Sequence, residues 1–431
     1  MIIPQWLTIP RLRRPVVPVS LFLACTLVLL SAGPLSAQPP EELSEYHTPL
    51  AGEAREVPFM GHWVAIPSQD RRRLTCLTLG GTVLEPRQGS LGGLPIGALF
   101  LRRADDTFRT RDVISIFENE LEYDRRFGTL ELVTHFQNYT LPGDITEIAN
   151  NREMKATAAT YGWAVGAAGP GIRIPVAPGG IDNNLKFQLL GRIGYFYAER
   201  SHGTGPDVVI PPDTLLYGAR LRARYDGLTR NLLELPHRGV ALGLDADYLH
   251  RDRWRSLEPA GGEPHHDFQQ LRGYLVAAGG LPGLSEKNRL LVNLNAGATS
   301  SRDGDRFNAF LVEGGPLPSE EDDLVRSHYG GIIYDQVRAT DYASGSLSYR
   351  RELAFFLYLS LTGSYIWGQR ATVEGADVVT FRPQTGKAAT ISLDSAFFWN
   401  SEVYLAYGWE SGFIRDGRSG HGVTLLWNKS W

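Results

Sequence analysis

The sequence predicts an all-β chain that closes into a transmembrane antiparallel β-barrel of about sixteen strands. Three observations predict this fold. The composition combines 47 Gly with 18 Tyr, 18 Phe and 9 Trp but only 3 Met, a mixture that suits strands, tight turns and interfacial aromatic rings. Apolar and polar residues alternate with period two along most of the chain. After residue 37, no apolar stretch approaches the roughly 20 residues that a helical span requires.

The amino-terminal segment has the order of a secretory signal peptide. Arg11, Arg13 and Arg14 precede an apolar run at 16–30, and small residues at 31–37 provide a cleavage site. We therefore predict a signal peptide at 1–37. A membrane anchor is the alternative, and Cys25 leaves a lipoprotein interpretation open.

Charge and cysteine content exclude several classes of function. The chain has 43 basic and 47 acidic residues, and cleavage after residue 37 removes three of the former and none of the latter, which leaves a net charge of −7. A nucleic-acid partner is not expected for such a chain. Only Cys76 then remains, so neither an internal disulfide nor a cysteine-based zinc site can form. We expect no metal and no cofactor. His265 and His266, in a hydrophilic connection, are interpreted as solvated.

The alternation is clearest at 185–197, where one face carries Leu, Phe, Ile and Tyr and the other Lys, Gln and Arg. Similar patterns recur along the chain, including 215–226 and 240–248. Lipid cannot satisfy polar groups, so the apolar face of each strand should point outward and the polar face inward. The predicted lumen-facing residues are Arg220, Arg222, Arg224, Asp226, Asp245 and Asp247. They would favour anions in an open lumen, or form ion pairs between neighbouring strands; the solvent face of a β-sandwich is a third interpretation.

Connections of unequal length also favour a barrel. The segments 139–154, 168–184, 200–213, 251–267 and 301–330 are rich in Pro, Gly, Asp, Glu and Asn and are predicted to be long loops, whereas 124–128 is a short link. We place a short periplasmic or lumenal segment at 38–72 and the barrel at 73–431. The last strand carries Val423, Leu425, Trp427 and Trp431 at alternate or terminal positions, like a sorting signal for the outer-membrane assembly machinery.

Three motifs resemble the BamA/TamA family of outer-membrane barrels, also called bacterial surface antigens. Residues 217–231 followed by 235–239 are similar to the family hairpin "Y-D-x-R-D-N, P-x-R-G". Residues 306–315 resemble "R-F-x-L-G-G", and 325–330 stand where "V-R-G-Y/F" would be. Residues 346–353 resemble "S-x-E-Y-R-x-x-L".

The resemblance implies a large loop that folds into the lumen and is held there by Arg326. In the family an Asp on a later strand pairs with this arginine, but Thr362 stands at that place. Family members also carry periplasmic client-binding modules, and 38–72 is too short for one. A fused patatin lipase would show G-x-S-x-G, which does not occur.

The sequence therefore favours a non-catalytic bacterial outer-membrane barrel of surface-antigen type, acting in outer-membrane protein assembly or transport. The expected partners are outer-membrane lipids, lipopolysaccharide and the assembly machinery. A porin-like diffusion channel is the first alternative. An outer-membrane lipase is the second, for which His135 and Asn138 would be candidates.

Overall fold

The computed structural model describes residues 48–68, 71–88, 91–140, 145–149, 152–255, 257, 264–300, 304–312, 314–315, 324–333, 337–375, 377–398 and 401–431. The predicted signal peptide at 1–37 lies outside these residues. Within them, no helix has the length and apolar character needed to cross a bilayer.

Twenty-one strands occur in the described part of the chain. They are β1 (Arg55–Phe59), β2 (His62–Ile66), β3 (Arg73–Gln88), β4 (Leu91–Ala104), β5 (Phe108–Ser115), β6 (Glu118–Phe127), β7 (Leu130–Thr140), β8 (Ile145–Ala149), β9 (Arg152–Pro175), β10 (Asn184–Arg200), β11 (Thr214–Asp226), β12 (Thr229–Arg230), β13 (Pro236–Arg251), β14 (Asp267–Gly280), β15 (Asn288–Thr299), β16 (Phe310–Val312), β17 (Val337–Ala354), β18 (Leu357–Glu374), β19 (Val378–Phe398), β20 (Ser401–Glu410) and β21 (Gly420–Ser430).

Sixteen of these strands form the wall of a closed antiparallel barrel. The three short strands β8, β12 and β16 extend the sheet beside longer neighbours, and β1 and β2 form a separate hairpin. The last strand closes on the first, with β21 pairing to β3 from His421 opposite Glu85 to Ser430 opposite Cys76. Closure leaves the wall without an unpaired edge. The predicted fold class and strand number are confirmed.

The period-two pattern turns the apolar side chains outward. On β10, Leu189 and Ile193 are 56% and 66% exposed, whereas Gln188 and Leu190 are almost completely buried. Exposed apolar side chains recur on β7, β11, β20 and β21. A closed antiparallel barrel with an apolar exterior and a polar interior matches the requirements of a lipid bilayer. The chain is thus a transmembrane barrel of the bacterial outer-membrane type.

The two ends of the barrel differ in their connections. Very short turns at 105–107, 128–129 and 355–356 lie at one end, and longer loops such as 201–213 lie at the other. In outer-membrane barrels the short turns face the periplasm. We name the two ends periplasmic and extracellular accordingly.

The predicted loop at 168–184 is wrong for most of its length. Strand β9 continues to Pro175, and the connection to β10 spans only 176–183, at the periplasmic end. Glycine is required within this strand because a Cβ on Gly169 would lie 2.0 Å from the carbonyl oxygen of Leu189. Gly169, one of the residues that suggested a loop, therefore permits close approach of β9 and β10.

The residues before β3 are held at the periplasmic end. The backbone N–H and the hydroxyl of Thr48 donate to Oε1 of Glu352 at 2.8 and 2.7 Å. Arg71 forms ion pairs with Asp182 and Glu234. Asp182 lies in the 176–183 turn and is also within 3.1–3.3 Å of Arg109 and Arg102. Burial acts to raise the pKa of Asp182, but the surrounding arginines outweigh it and lower this pKa to about 2.

The barrel interior as candidate functional site

The predicted lumen residues of β11 and β13 face each other across one strand pair. Arg220 is opposite Asp247, and Arg222 is opposite Asp245. The Arg220 guanidinium donates to both Asp247 oxygens, at 2.7 and 2.9 Å. Arg224 donates to Asp245 at 2.8 Å. These side chains are largely buried in the interior and are paired with each other.

Arg222 differs from its neighbours because its partner lies on a strand that is not adjacent to β11. Its Nη1 donates to Oε2 of Glu122 on β6 at 2.8 Å, and both side chains are buried. Strands β7, β9 and β10 separate β6 from β11 around the wall. The pair therefore connects two non-adjacent strands on the inner face of the barrel.

Asp226 belongs to the periplasmic turn between β11 and β13. It accepts a hydrogen bond from the backbone N–H of Leu228 at 2.9 Å and forms an ion pair with Arg230. The carboxamide of Asn231 accepts from the backbone N–H groups of Leu233 and Leu235 at 2.9 and 3.0 Å. The residues that carry the family-like hairpin motif thus build a turn stabilised by side chains, and Asp226 serves this turn more than the lumen wall.

The segment 324–333 lies inside the barrel, and we call it the inward segment. Val325, Tyr329 and Ile332 are buried. Val325 packs with residues of β13, β14 and β15, while Tyr329 and Ile332 pack with Ile366 of β18 and Ala388 of β19. The inward segment therefore contacts two different sides of the wall.

An ion pair holds this segment against a third side of the wall. Nη1 of Arg326 lies 3.2 Å from Oε2 of Glu118 at the start of β6. The strand on which a partner was expected instead carries Thr362, whose hydroxyl shares a 2.7 Å hydrogen bond with Ser348. The carboxylate partner of Arg326 is thus on β6 and not on β18.

The residues before the inward segment are also fixed in the interior. Arg306 donates to the carbonyl of Thr157 at 2.7 Å and lies 3.3 Å from Glu147. The Phe307 ring packs edge-on against Tyr161, with centroids 5.0 Å apart. A Cβ on Gly314 would lie 1.9 Å from the carbonyl oxygen of Ile332, so only glycine permits this contact. The "R-F" and "G-G" portions of the second motif therefore fix Arg306, Phe307 and Gly314 against other parts of the chain.

An acidic row on β6 is the feature that the sequence interpretation missed. Glu118, Glu120, Glu122 and Asp124 occupy every second position of this strand, and their partners come from five other parts of the chain. Glu118 pairs with Arg326, Glu120 with Arg111 and His135, Glu122 with Arg222, and Asp124 with Arg173. Four acids at period two are a lumen-face signal of the same kind as the arginines of β11.

The two residues considered for lipase chemistry do not form a site. His135 is buried, and its Nε2 lies 2.9 Å from Glu120 inside the barrel. Asn138 lies three residues later on the same strand, and successive side chains of a strand point to opposite faces. His135 and Asn138 thus belong to opposite faces of β7.

The carboxyl-terminal strand presents its apolar residues outward. Val423, Leu425, Trp427 and Trp431 are all exposed on the outer surface, while Thr424, Leu426 and Asn428 are buried.

His265 and His266 lie just before β14, and the Nδ1 of His266 is 2.8 Å from the carbonyl oxygen of Arg251. Among the described residues, no group of three or more metal-ligating side chains is assembled.

Comparison with known proteins finds similarity in structure and not in sequence. No protein family profile matches the chain, and no curated protein matches its sequence. CdiB from Acinetobacter baumannii is similar in structure with a TM-score of 0.48 at 10% identity, covering 89% of this chain and 66% of CdiB. BamA from Haemophilus ducreyi lacking POTRA domains 1–3 gives 0.49 at 10% identity, covering 89% and 76%. CdiB from Escherichia coli gives 0.47 at 11% identity, covering 89% and 68%. The chain spans about two thirds of the length of the Acinetobacter protein. It is a barrel of outer-membrane type, similar in fold to BamA and CdiB.

Proposed function

We propose that the chain is a non-catalytic outer-membrane barrel of bacterial surface-antigen type that acts in outer-membrane protein assembly or transport. The observation that carries this proposal is the inward segment, which lies in the lumen with Arg326 on Glu118. The motif resemblance places an inward loop at this part of the sequence. The hairpin motif and the "R-F" motif supply structural residues at the positions that the resemblance implies.

The contents of the lumen argue against a wide diffusion channel. The inward segment packs on β13–β15 and on β18–β19, and Arg326 connects it to β6. The Arg222–Glu122 pair on the inner face joins two strands that are not neighbours. The arginines that would select anions in an open pore are occupied by Asp245, Asp247 and Glu122.

The proposed partners follow from the two surfaces of the wall. Lipids and lipopolysaccharide would cover the apolar exterior, and the assembly machinery would read the last strand through Val423, Leu425, Trp427 and Trp431. We further propose that residues 1–37 are removed on export and that 38–72 form a short segment before the barrel at 73–431. Amino-terminal sequencing of the exported protein should begin at Gln38.

Reconstitution of the full mature chain in liposomes tests the proposed function against both alternatives. We expect faster folding of an added unfolded client barrel, no leakage of an entrapped small solute and no release of fatty acid. Arg326→Ala should alter the folding rate, whereas Arg418→Ala, which removes an exposed arginine outside the three motifs, should not. Solute leakage from the unmodified protein would favour the diffusion channel, and fatty-acid release would favour the lipase. Either result, without client folding, contradicts the proposal.

A further inference from the structure

A cavity of about 220 Å³ lies in the barrel interior beside the inward segment. It exceeds the roughly 150 Å³ that accommodates benzene in an apolar cavity. Its lining has two kinds of surface. One is aromatic and includes Trp163, Phe196, Trp254, Phe268 and Phe307, and the other is rich in arginine.

The arginines of this cavity are paired with carboxylates in all cases but one. Seven arginines line the cavity. Six of them lie within 3.2 Å of an Asp or Glu oxygen. The seventh is Arg272 on β14, for which no carboxylate lies within ion-pair distance among the described residues.

The surroundings of Arg272 explain why no described carboxylate pairs with it. Asp245 is directly opposite it on β13, but the Asp245 carboxylate is engaged by Arg224 at 2.8 Å. The Arg272 guanidinium instead lies over the Phe310 ring, 5.3 Å from its centroid. Phe310 is buried and packs edge-on against Tyr342. A ring covers one face of a guanidinium and accepts few of its five N–H groups. Arg272 therefore lines the cavity with a ring over its guanidinium and, among the residues that the structure describes, with no carboxylate within ion-pair distance.

We propose that this cavity binds a small amphipathic anion, an aromatic carboxylate or sulfonate, with its charged group on Arg272 and its ring against the aromatic lining. A planar guanidinium pairs well with a carboxylate or sulfonate. Stacking or edge-on contacts with Trp254 and Phe268 would hold the ring. This site is independent of the proposed role in assembly or transport.

Quenching of tryptophan fluorescence tests the proposal, because Trp163 and Trp254 line the cavity. The full mature chain, folded in detergent, is titrated with 4-nitrobenzoate, with 4-nitrobenzenesulfonate and with the neutral 4-nitrobenzyl alcohol. We expect saturable quenching by both anions and only linear quenching by the alcohol. Arg272→Gln should weaken anion binding about tenfold to hundredfold, the usual contribution of a hydrogen bond to a charged group.

Two further variants separate binding from folding. Arg272→Lys keeps the positive charge and should retain part of the affinity, and Arg238→Gln removes an exposed charge on β13 and should leave the affinity unchanged. Folding of each variant is checked by the mobility shift on heating in gel electrophoresis. Three results would overturn the proposal. The first is an unchanged anion affinity in Arg272→Gln, and the second is saturable binding of the alcohol at an affinity similar to that of the anions. The third is the lack of saturable quenching by either anion in folded protein. The liposome folding assay measures a different property, so the two proposals can fail separately.

Discussion

Arg326 and Glu118 lie 208 positions apart in the sequence, yet their side chains meet at 3.2 Å in the barrel interior. The contact fixes the inward segment to β6. Both side chains are 13% exposed, so the pair is mostly shielded from water. Glu118 is also bound by Gln137, whose amide donates to Oε1 at 2.7 Å.

Removal of either partner should loosen the inward segment. We expect Arg326→Ala and Glu118→Gln each to lower the free energy of unfolding by about 1–3 kcal/mol, because each leaves a largely buried polar group without its partner. The double variant should lose less free energy of unfolding than the two single variants lose together. Urea unfolding followed by tryptophan fluorescence measures these values. Planar-bilayer recordings should show a higher conductance for each single variant than for the unmodified protein. Additive stability losses with unchanged conductance would contradict the coupling.

Stability should depend on pH through Asp182. The pKa of Asp182 is lowered from its ordinary value of 3.8 to about 2, so the ionised carboxylate is favoured more strongly in the folded protein than in the unfolded chain. The stabilisation is complete above about pH 4 and is lost as the pH falls towards 2. Asp182→Asn should therefore reduce stability at pH 7 by about 2 kcal/mol and flatten the dependence between pH 4 and 2. Unfolding curves across this range provide the check, and an identical acid slope in the variant would refute it.

Gly239 occupies a backbone conformation that the hairpin between β11 and β13 needs. Its φ is +111°, and a Cβ there would lie 2.2 Å from the carbonyl oxygen of Gly227. Gly239→Ala should destabilise the barrel by about 1–3 kcal/mol. Gly279→Ala is the matched control, since Gly279 has no atom within 4 Å of its added Cβ. Equal stability of the two variants would show that the turn tolerates a side chain.

A charge on the lipid-facing side of β10 should be costly. Ile193 is 66% exposed near the middle of this strand, and Leu284 is 54% exposed in a periplasmic turn. In a bilayer, Ile193→Lys should cost about 2–4 kcal/mol, the range for a lysine near the midplane of an outer-membrane barrel. Leu284→Lys should be nearly neutral. Folding titrations in lipid vesicles distinguish the two, and a harmless Ile193→Lys would be incompatible with lipid contact there.

Much of the wall could be predicted because strand residues alternate locally. The pattern at 185–197 correctly separates Leu189 and Ile193 from the buried Gln188. The loop predicted at 168–184 was wrong for most of its length, because Gly169 and its neighbours are residue types common in turns but lie inside a strand. The steric fit between β9 and β10 decides the conformation of Gly169 and the residues beside it. The local sequence does not show which strand will lie next to them.

Contacts across the lumen could not be predicted from local patterns. The position of Thr362 suggested that Arg326 lacks a carboxylate, but Glu118 on a strand from the other half of the chain supplies one. Likewise, the aromatic contact between Tyr161 and Phe307 joins β9 to the loop that follows β15. Closure of the barrel creates these neighbours. Of these features, only the alternating acidic residues of β6 form a local sequence pattern that could have predicted lumen-facing side chains.

The most direct test of the account is a cross-link between Ser327 of the inward segment and Ser344 of β17, whose hydroxyls share a hydrogen bond inside the barrel. The experiment uses Ser327→Cys with Ser344→Cys in a chain that also carries Cys25→Ser and Cys76→Ser. We expect a disulfide to form on oxidation of the folded protein. The single variant Ser327→Cys should resist a membrane-impermeant maleimide that labels His202→Cys in an exposed loop. Absence of the disulfide, together with labelling of position 327 as fast as position 202, would contradict a segment held in the lumen.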